Sequence, residues 1–213
     1  MARGDAGTGE QSRSGEHYFT ASPSAQARPT QVEFTVAGRA LRLTAAGGVF
    51  SATRLDPGTS VLLRKAPLPD ESEPGPLLDL GCGYGPIACT LATLAPRAAV
   101  YAVDVNSRAL ELTRANAAAL GVRVTALTPE EVPADLGFRQ LWSNPPIRIG
   151  KRELHELLLR WLPRLVPGGV AWLVVARHLG ADSLGEWLAG QDFEVSRHAS
   201  QQGFRVLRVT HRA

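Results

Sequence analysis

The sequence predicts an α/β protein built on a doubly wound sheet of about seven strands, the last of them antiparallel, preceded by a small β-hairpin and helix cap. Three observations carry that expectation. From Pro76 onward short apolar runs alternate with stretches of helical length, a glycine-rich turn joins the first such run to the helix after it, and the final two apolar runs follow one another with only a short connection. Strand and helix in alternation make a parallel sheet covered on both faces, whereas two strands joined directly are a hairpin.

The elements can be justified in order. Residues 1–16 are polar and Gly-rich, with no apolar core of a secretory signal, and are expected to be a disordered tail, with structure beginning near His17. Residues 17–70 are expected to form the cap. Within it, 32–36 and 39–43 alternate apolar and polar residues around Ala37-Gly38, a two-residue hairpin signature. Gly47-Gly48 marks a turn, and Asp56-Pro57 opens a short helix with Val61-Leu62-Leu63 as its apolar part, ended by Pro67 and Pro69.

Residues 71–213 are expected to form the core of the same domain. Leu77-Leu78-Asp79-Leu80 is the first buried strand, 87–94 its helix, and 99–103 the second strand. Asn106 or Ser107 caps an Ala-rich helix running to about Leu120, where Gly121 stops it. Residues 122–127 and 140–143 are the third and fourth strands. A helix is expected from about Lys151 to Leu165, closed by Pro167-Gly168-Gly169. Residues 170–176 form the fifth strand, 183–189 a helix, and 193–195 with 204–209 the closing pair. Ligands of such sheets bind beyond the carboxyl ends of the first strands.

Composition narrows the function classes. A chain of 213 residues is long enough for one α/β domain with a full core, and no run approaches the ~18 apolar residues of a membrane span. A cytoplasmic protein is expected. The two cysteines, Cys82 and Cys89, lack the Cys and His partners of a zinc site, so free thiols and no metal are expected. The net charge of +3 is unevenly spread: residues 71–138 hold 4 Lys/Arg against 8 Asp/Glu, and 139–213 hold 11 against 6. A basic last third attracts phosphates, although such runs are also ordinary solvated surface.

Two loops carry the chemistry. Asp79-Leu80-Gly81-Cys82-Gly83-Tyr84-Gly85 puts three alternate glycines between strand and helix, where a ligand can approach the backbone and the helix N-terminus offers amide donors. The spacing differs from the G-x-x-G ending of a dinucleotide fingerprint, and Asp79 would repel a pyrophosphate while suiting an amine and a sulfonium. Asp104, 19 residues after Gly85, ends the second strand where a carboxylate can accept ribose hydroxyls. After the fourth strand comes Asn144-Pro145-Pro146-Ile147. Two prolines hold the backbone extended and remove two donors, leaving the Asn144 oxygen and nearby carbonyls to grip an amine, with Ile147 as an apolar face for a ring.

These residues, with His17-Tyr18-Phe19, Gly48-Val49-Phe50-Ser51, Leu78 to Ile87, Val103-Asp104-Val105-Asn106, Ser143 to Arg148, Gly150-Lys151 and Gly203 to Arg208, resemble the class I methyltransferases with a small catalytic domain. That group includes the 16S ribosomal RNA guanine-N2 methyltransferases. The resemblance implies a Rossmann-like seven-stranded fold and S-adenosylmethionine as cofactor, held by Asp79, Gly81, Cys82, Gly83, Gly85, Asp104, Val105, Glu130 and Asn144. It implies Asn144, Pro145, Pro146 and Ile147 as the catalytic loop, and ribosomal RNA or the small subunit as partner of a monomer or homodimer. The sequence departs from the group's pattern at Pro129-Glu130, where an Asp is usual, and at Gln201-Gln202, where a Lys often stands, and the additional amino-terminal domain of larger members is not expected in it. Protein glutamine and DNA adenine methyltransferases share Asn-Pro-Pro but follow it with an aromatic, so Ile147 argues against both. An inactive cofactor-binding module is argued against by the intact Asn144.

Overall fold

The computed structural model describes residues 29–47, 49 and 53–212. The expected tail, the start near His17, and Gly48, Phe50 and Ser51 lie outside the described residues. Strands β1 (Thr30–Val36) and β2 (Arg39–Ala45) pair antiparallel around Ala37 and Gly38, whose φ values of 47° and 74° give a turn twisted in the same sense as the strands. Helix α1 (Pro57–Lys65) begins where the Asp56 side chain accepts the Thr59 amide at 2.9 Å, with proline in its first turn.

The main sheet contains β3 (Leu77–Leu80), β4 (Val100–Val103), β5 (Thr125–Leu127), β6 (Phe138–Ser143), β7 (Leu165–Ala176), β8 (Phe193–Gln201) and β9 (Phe204–His211). Their spatial order is β5-β4-β3-β6-β7-β9-β8. Strand β9 lies antiparallel between β7 and β8, and the other pairings are parallel. Between strands run α2 (Pro86–Leu94), α3 (Ser107–Leu120), α4 (Lys151–Trp161) and α5 (Ala181–Ala189).

Period-two alternation sends side chains of each strand to two cores. Leu77, Val100, Ala102, Trp142 and Val174 pack with residues of α1, α2, α3 and the hairpin, while Leu78, Leu80, Leu141, Leu173 and Val175 pack with those of α4 and α5. The hairpin is tied down by Asn116 of α3, which accepts from Thr44 N at 2.8 Å and donates to the carbonyls of Thr44 and Tyr84 at 2.9 and 2.8 Å. The cap and the glycine-rich loop are thereby fastened to one side chain. No described helix is long and apolar enough to cross a membrane.

Three boundaries differ from expectation. The third strand is only Thr125–Leu127, because it pairs with β4 alone and residues 122–124 find no partner strand. Helix α4 ends at Trp161, a 3-10 turn covers Leu162–Arg164, and β7 has already begun at Leu165, so Pro167-Gly168-Gly169 lies inside a strand. A register shift between Phe138 and Gln140 absorbs it, and a Cβ at Gly169 would meet three backbone oxygens at 2.9–3.1 Å. Glycine there allows β7 to approach β6 closely. Strand β8 continues to Gln201 because its polar second half pairs with β9.

Candidate cofactor and catalytic site

A cavity of about 400 Å³ opens beyond the carboxyl ends of β3 and β4. Leu80 and Gly81 line it from β3 and its loop, Val103, Asp104 and Val105 from β4, and Pro129 from the segment after β5. Pro146 and Ile149 close it from the loop after β6, and Glu153, Glu156, Leu157 and Arg160 wall it along one face of α4. Its size is that of a small-molecule pocket. The 153, 156, 157, 160 spacing of α4 is helical, but only the packed helix shows that this face looks into the cavity.

The glycines of the 81–85 loop serve different ends. Gly81 has φ +76° and nothing within 4 Å of the place a Cβ would occupy, so the backbone there is open to a ligand. At Gly85, with φ +87°, a Cβ would meet Thr113 at 2.9–3.2 Å, so that glycine lets α2 and α3 pack together. The expected free amides at the start of α2 are mostly absent: Pro86 has none, and Ala88 N donates to Asp79 Oδ2 at 2.9 Å. Gly81 N and Cys82 N both donate to the Val103 carbonyl, and Gly83 N to Asp104. A loop so satisfied has little left with which to hold a pyrophosphate.

Asp79 is fully buried, caps α2 with one oxygen, and leaves Oδ1 without a partner among the described residues. Burial pushes its carboxyl up to about 8, with the Ala88 amide opposing and the charge of Asp104 adding. Asp104 is also buried, and burial raises it too. Its Oδ2 accepts Gly83 N and its Oδ1 accepts Asn106 N, each at 2.9 Å, and the Val105 amide also favours its charged form, which together fix the carboxylate at the cavity wall. Val105 beside it is 44% exposed, an apolar shelf at the cavity edge. These features fit S-adenosylmethionine: the Asp104 carboxyl as acceptor for ribose, an apolar slot for a purine, open backbone at Gly81, and behind the loop a buried carboxyl, Asp79, whose Oδ1 lacks a partner among the described residues.

Other expected residues sit differently. The Cys82 side chain is buried against Thr113 at 3.6 Å, so it can offer only backbone to the site. Glu130 is not among the cavity-lining residues; its carboxylate pairs with Arg160 at 3.3 Å, and Pro129 lines the cavity instead. The side chain of Arg148 lies outside the described residues.

In the 144–147 loop the expected extended backbone is instead bent. Ile147 N donates to the Pro145 carbonyl at 2.8 Å across Pro146, with φ −74° and ψ 76°, an inverse γ-turn that leads into the 3-10 turn Ile147–Ile149. Ile147 packs partly buried against the second core, and Ile149 takes the place at the cavity. Asn144 follows β6 and is half-buried. Its Nδ2 donates to Asp56 Oδ1 at 2.7 Å and to Thr59 Oγ1 at 3.1 Å, which leaves Oδ1 as its acceptor, and Asn144 is not among the residues lining the cavity. Asp56 and Thr59 were invisible as site residues in the sequence, where Asp56-Pro57 signals only a helix start.

Comparison with known proteins agrees with this geometry. The methyltransferase small domain family model matches residues 40–208. The chain is 30% identical to the uncharacterized protein YbxB of Bacillus subtilis, over 91% of this chain and 98% of that protein. It is 37% identical to the ribosomal RNA small subunit methyltransferase C of Hahella chejuensis, over 65% of this chain and 41% of that one. The solved structure of a T. thermophilus 16S rRNA N2 guanine methyltransferase, in complex with AdoMet and guanosine, has the same fold, with a TM-score of 0.73 at 23% identity over 90% of this chain and 52% of that one. The chain thus spans nearly all of YbxB but about half the length of the ribosomal RNA methyltransferases it matches. With the family model covering most of the sequence and the cavity fitting the methyl donor, this chain belongs to the methyltransferase small domain family and is an S-adenosylmethionine-dependent methyltransferase.

Proposed function

We propose that this chain methylates the exocyclic amine of a nucleobase, guanine N2 of ribosomal RNA, either free or in the small subunit, acting in the cytoplasm. The observation that supports the reading is Asn144, in the loop whose Pro146 lines the cavity: its amide hydrogens are held by Asp56 and Thr59, so the group it has left to offer is an acceptor. An amine conjugated to a base is a poor nucleophile. Accepting its hydrogens at Asn144 Oδ1 and at the second lone pair of the Pro145 carbonyl turns the nitrogen lone pair toward the donor, which is catalysis by positioning. S-adenosylmethionine supplies an electrophilic methyl group on a sulfonium. Asp104 would hold its ribose, Gly81 would let it approach the backbone, and Val105, Pro129 and Pro146 would give its purine an apolar slot. No base is needed before transfer, since the amine sheds its proton afterwards.

Guanine N2 as acceptor is supported by the Thermus enzyme, which carries that activity in its name, and by the basic last third of the chain. The test is incubation of the purified protein with tritiated S-adenosylmethionine and small ribosomal subunits from a strain lacking it. Label in the RNA fraction is expected; label in the protein fraction, or in neither, overturns the reading.

A further inference from the structure

We propose that Asp56 and Thr59 are positioning residues of the active site, fixing which end of the Asn144 amide faces the substrate. The inference rests on the role of Asn144 given above. An asparagine amide is nearly symmetric in shape, and only its hydrogen-bond partners decide whether oxygen or nitrogen points a given way. The difference decides function. An oxygen toward the substrate accepts the amine hydrogens, whereas an NH2 group there sets donor against donor.

Asp56 resolves the choice because a carboxylate can only accept. Its Oδ1 stands 2.7 Å from Asn144 Nδ2, in the range of a charge-assisted bond, and Thr59 Oγ1 stands 3.1 Å from the same nitrogen. The clamp is itself rigid. The same Asp56 oxygen caps α1 by accepting Thr59 N at 2.9 Å, and Pro57 fixes the start of that helix. Gly58 makes the approach possible, since a Cβ there would come within 3.0 Å of both Asp56 Oδ1 and the Phe204 ring. The N-terminus of α1 is thus wedged between β9 and the catalytic loop.

A second contact ties the clamp to the cofactor loop. Tyr84 lies between Gly83 and Gly85, is buried, and has a hydroxyl with no partner among the described residues. Burial raises its phenol above the usual range, and the charge of Asp56 adds to that shift. Asp56 therefore lies within electrostatic reach of the 81–85 loop as well as in contact with Asn144. The small cap in front of the main sheet supplies part of the active site.

The experiment is a double-mutant cycle read as single-turnover methyl transfer to ribosomal RNA from a strain lacking the protein, at saturating cofactor. Asp56→Ser keeps a helix cap, but its hydroxyl is too short to reach Asn144. It is expected to slow transfer about 10- to 100-fold, the scale of a lost hydrogen bond to a charged group, with cofactor affinity unchanged. Asp56→Asn keeps an oxygen in place and is expected to recover most of the rate. In an Asn144→Ala background, Asp56→Ser is expected to add less than a twofold loss, because there is no amide left to orient. Thr59→Val, which keeps the backbone cap, tests the same clamp should Asp56→Ser unfold. A full loss from Asp56→Ser in the Asn144→Ala background, or a loss that tracks cofactor affinity, overturns the proposal. Wild-type transfer by Asn144→Ala alone overturns the reading of Asn144 itself, and the clamp with it.

Discussion

Replacing Gly81 and Gly85 by alanine should separate the cofactor role of the glycine-rich loop from its packing role. Both residues have left-handed φ, +76° and +87°, which costs a side-chain-bearing residue about 1–2 kcal/mol. There the similarity ends. At Gly81 the added methyl meets open space; at Gly85 it meets Thr113 at 2.9–3.2 Å, and Thr113 is held in place by its bond to the Gly83 carbonyl at 3.0 Å. Overpacking of that kind adds about 1–3 kcal/mol. Gly85→Ala should therefore cost about 2–5 kcal/mol against about 1–2 for Gly81→Ala, at roughly 2–4 °C of Tm per kcal/mol for a domain of this size. Calorimetric titration with S-adenosylmethionine should reverse the order. The methyl at Gly81 occupies the space through which the ligand approaches, so Gly81→Ala should lose most of its cofactor affinity while remaining folded. Wild-type affinity in folded Gly81→Ala would refute the placement of the cofactor against this loop.

Further outcomes follow from the other site residues. Asn144→Ala should keep cofactor affinity and lower single-turnover transfer by about two orders of magnitude, the scale of a lost transition-state hydrogen bond; an unchanged rate would remove Asn144 from catalysis. Asp104→Ala should weaken cofactor binding by about 1.5–3 kcal/mol, measured by titration, and lower Tm as well, because Gly83 N and Asn106 N lose their acceptor. Asp79, raised from 3.8 to about 8 in the folded protein, retains a proton that the unfolded chain releases. Its stabilising contribution is fully present below about pH 4 and is lost as pH rises toward and through 8, so Asp79→Asn should flatten that fall in a Tm series, and equal slopes would contradict the burial argument. RNA affinity should drop steeply between low and physiological salt; a flat response would deny the basic last third a role in phosphate contact.

Much of this architecture was legible because local chemistry and fold agree. Asp56-Pro57, Asn106 and Gly121 each mark a helix end that the structure keeps, through an N-cap at Asp56, an N-cap at Asn106 and a left-handed C-cap at Gly121. What escaped depended on partners distant in sequence. Pro167-Gly168-Gly169 has the composition of a turn, yet it lies within β7 as the irregular stretch between the paired residues Leu165 and Val170, where the β6 backbone comes close enough to require glycine. Residues 196–201 show no apolar alternation because β8 is an edge strand, visible only through its pairing with β9. Of the residues expected at the site from motif position, Gly81 and Asp104 line the cavity, while Asp79 is buried behind the loop. The α4 wall of the cavity and the Asp56–Asn144 bond, spanning 88 residues, were not legible, since no local pattern records which helix face meets which loop.

The most direct test is mass spectrometry of nucleosides from ribosomal RNA of a strain lacking the protein, after incubation of its small subunits with S-adenosylmethionine and either wild-type protein or Asn144→Ala. The site predicts N2-methylguanosine appearing with wild-type protein and, over the same time, not with Asn144→Ala. A gain of N6-methyladenosine instead, or equal methylation by both proteins, would contradict it.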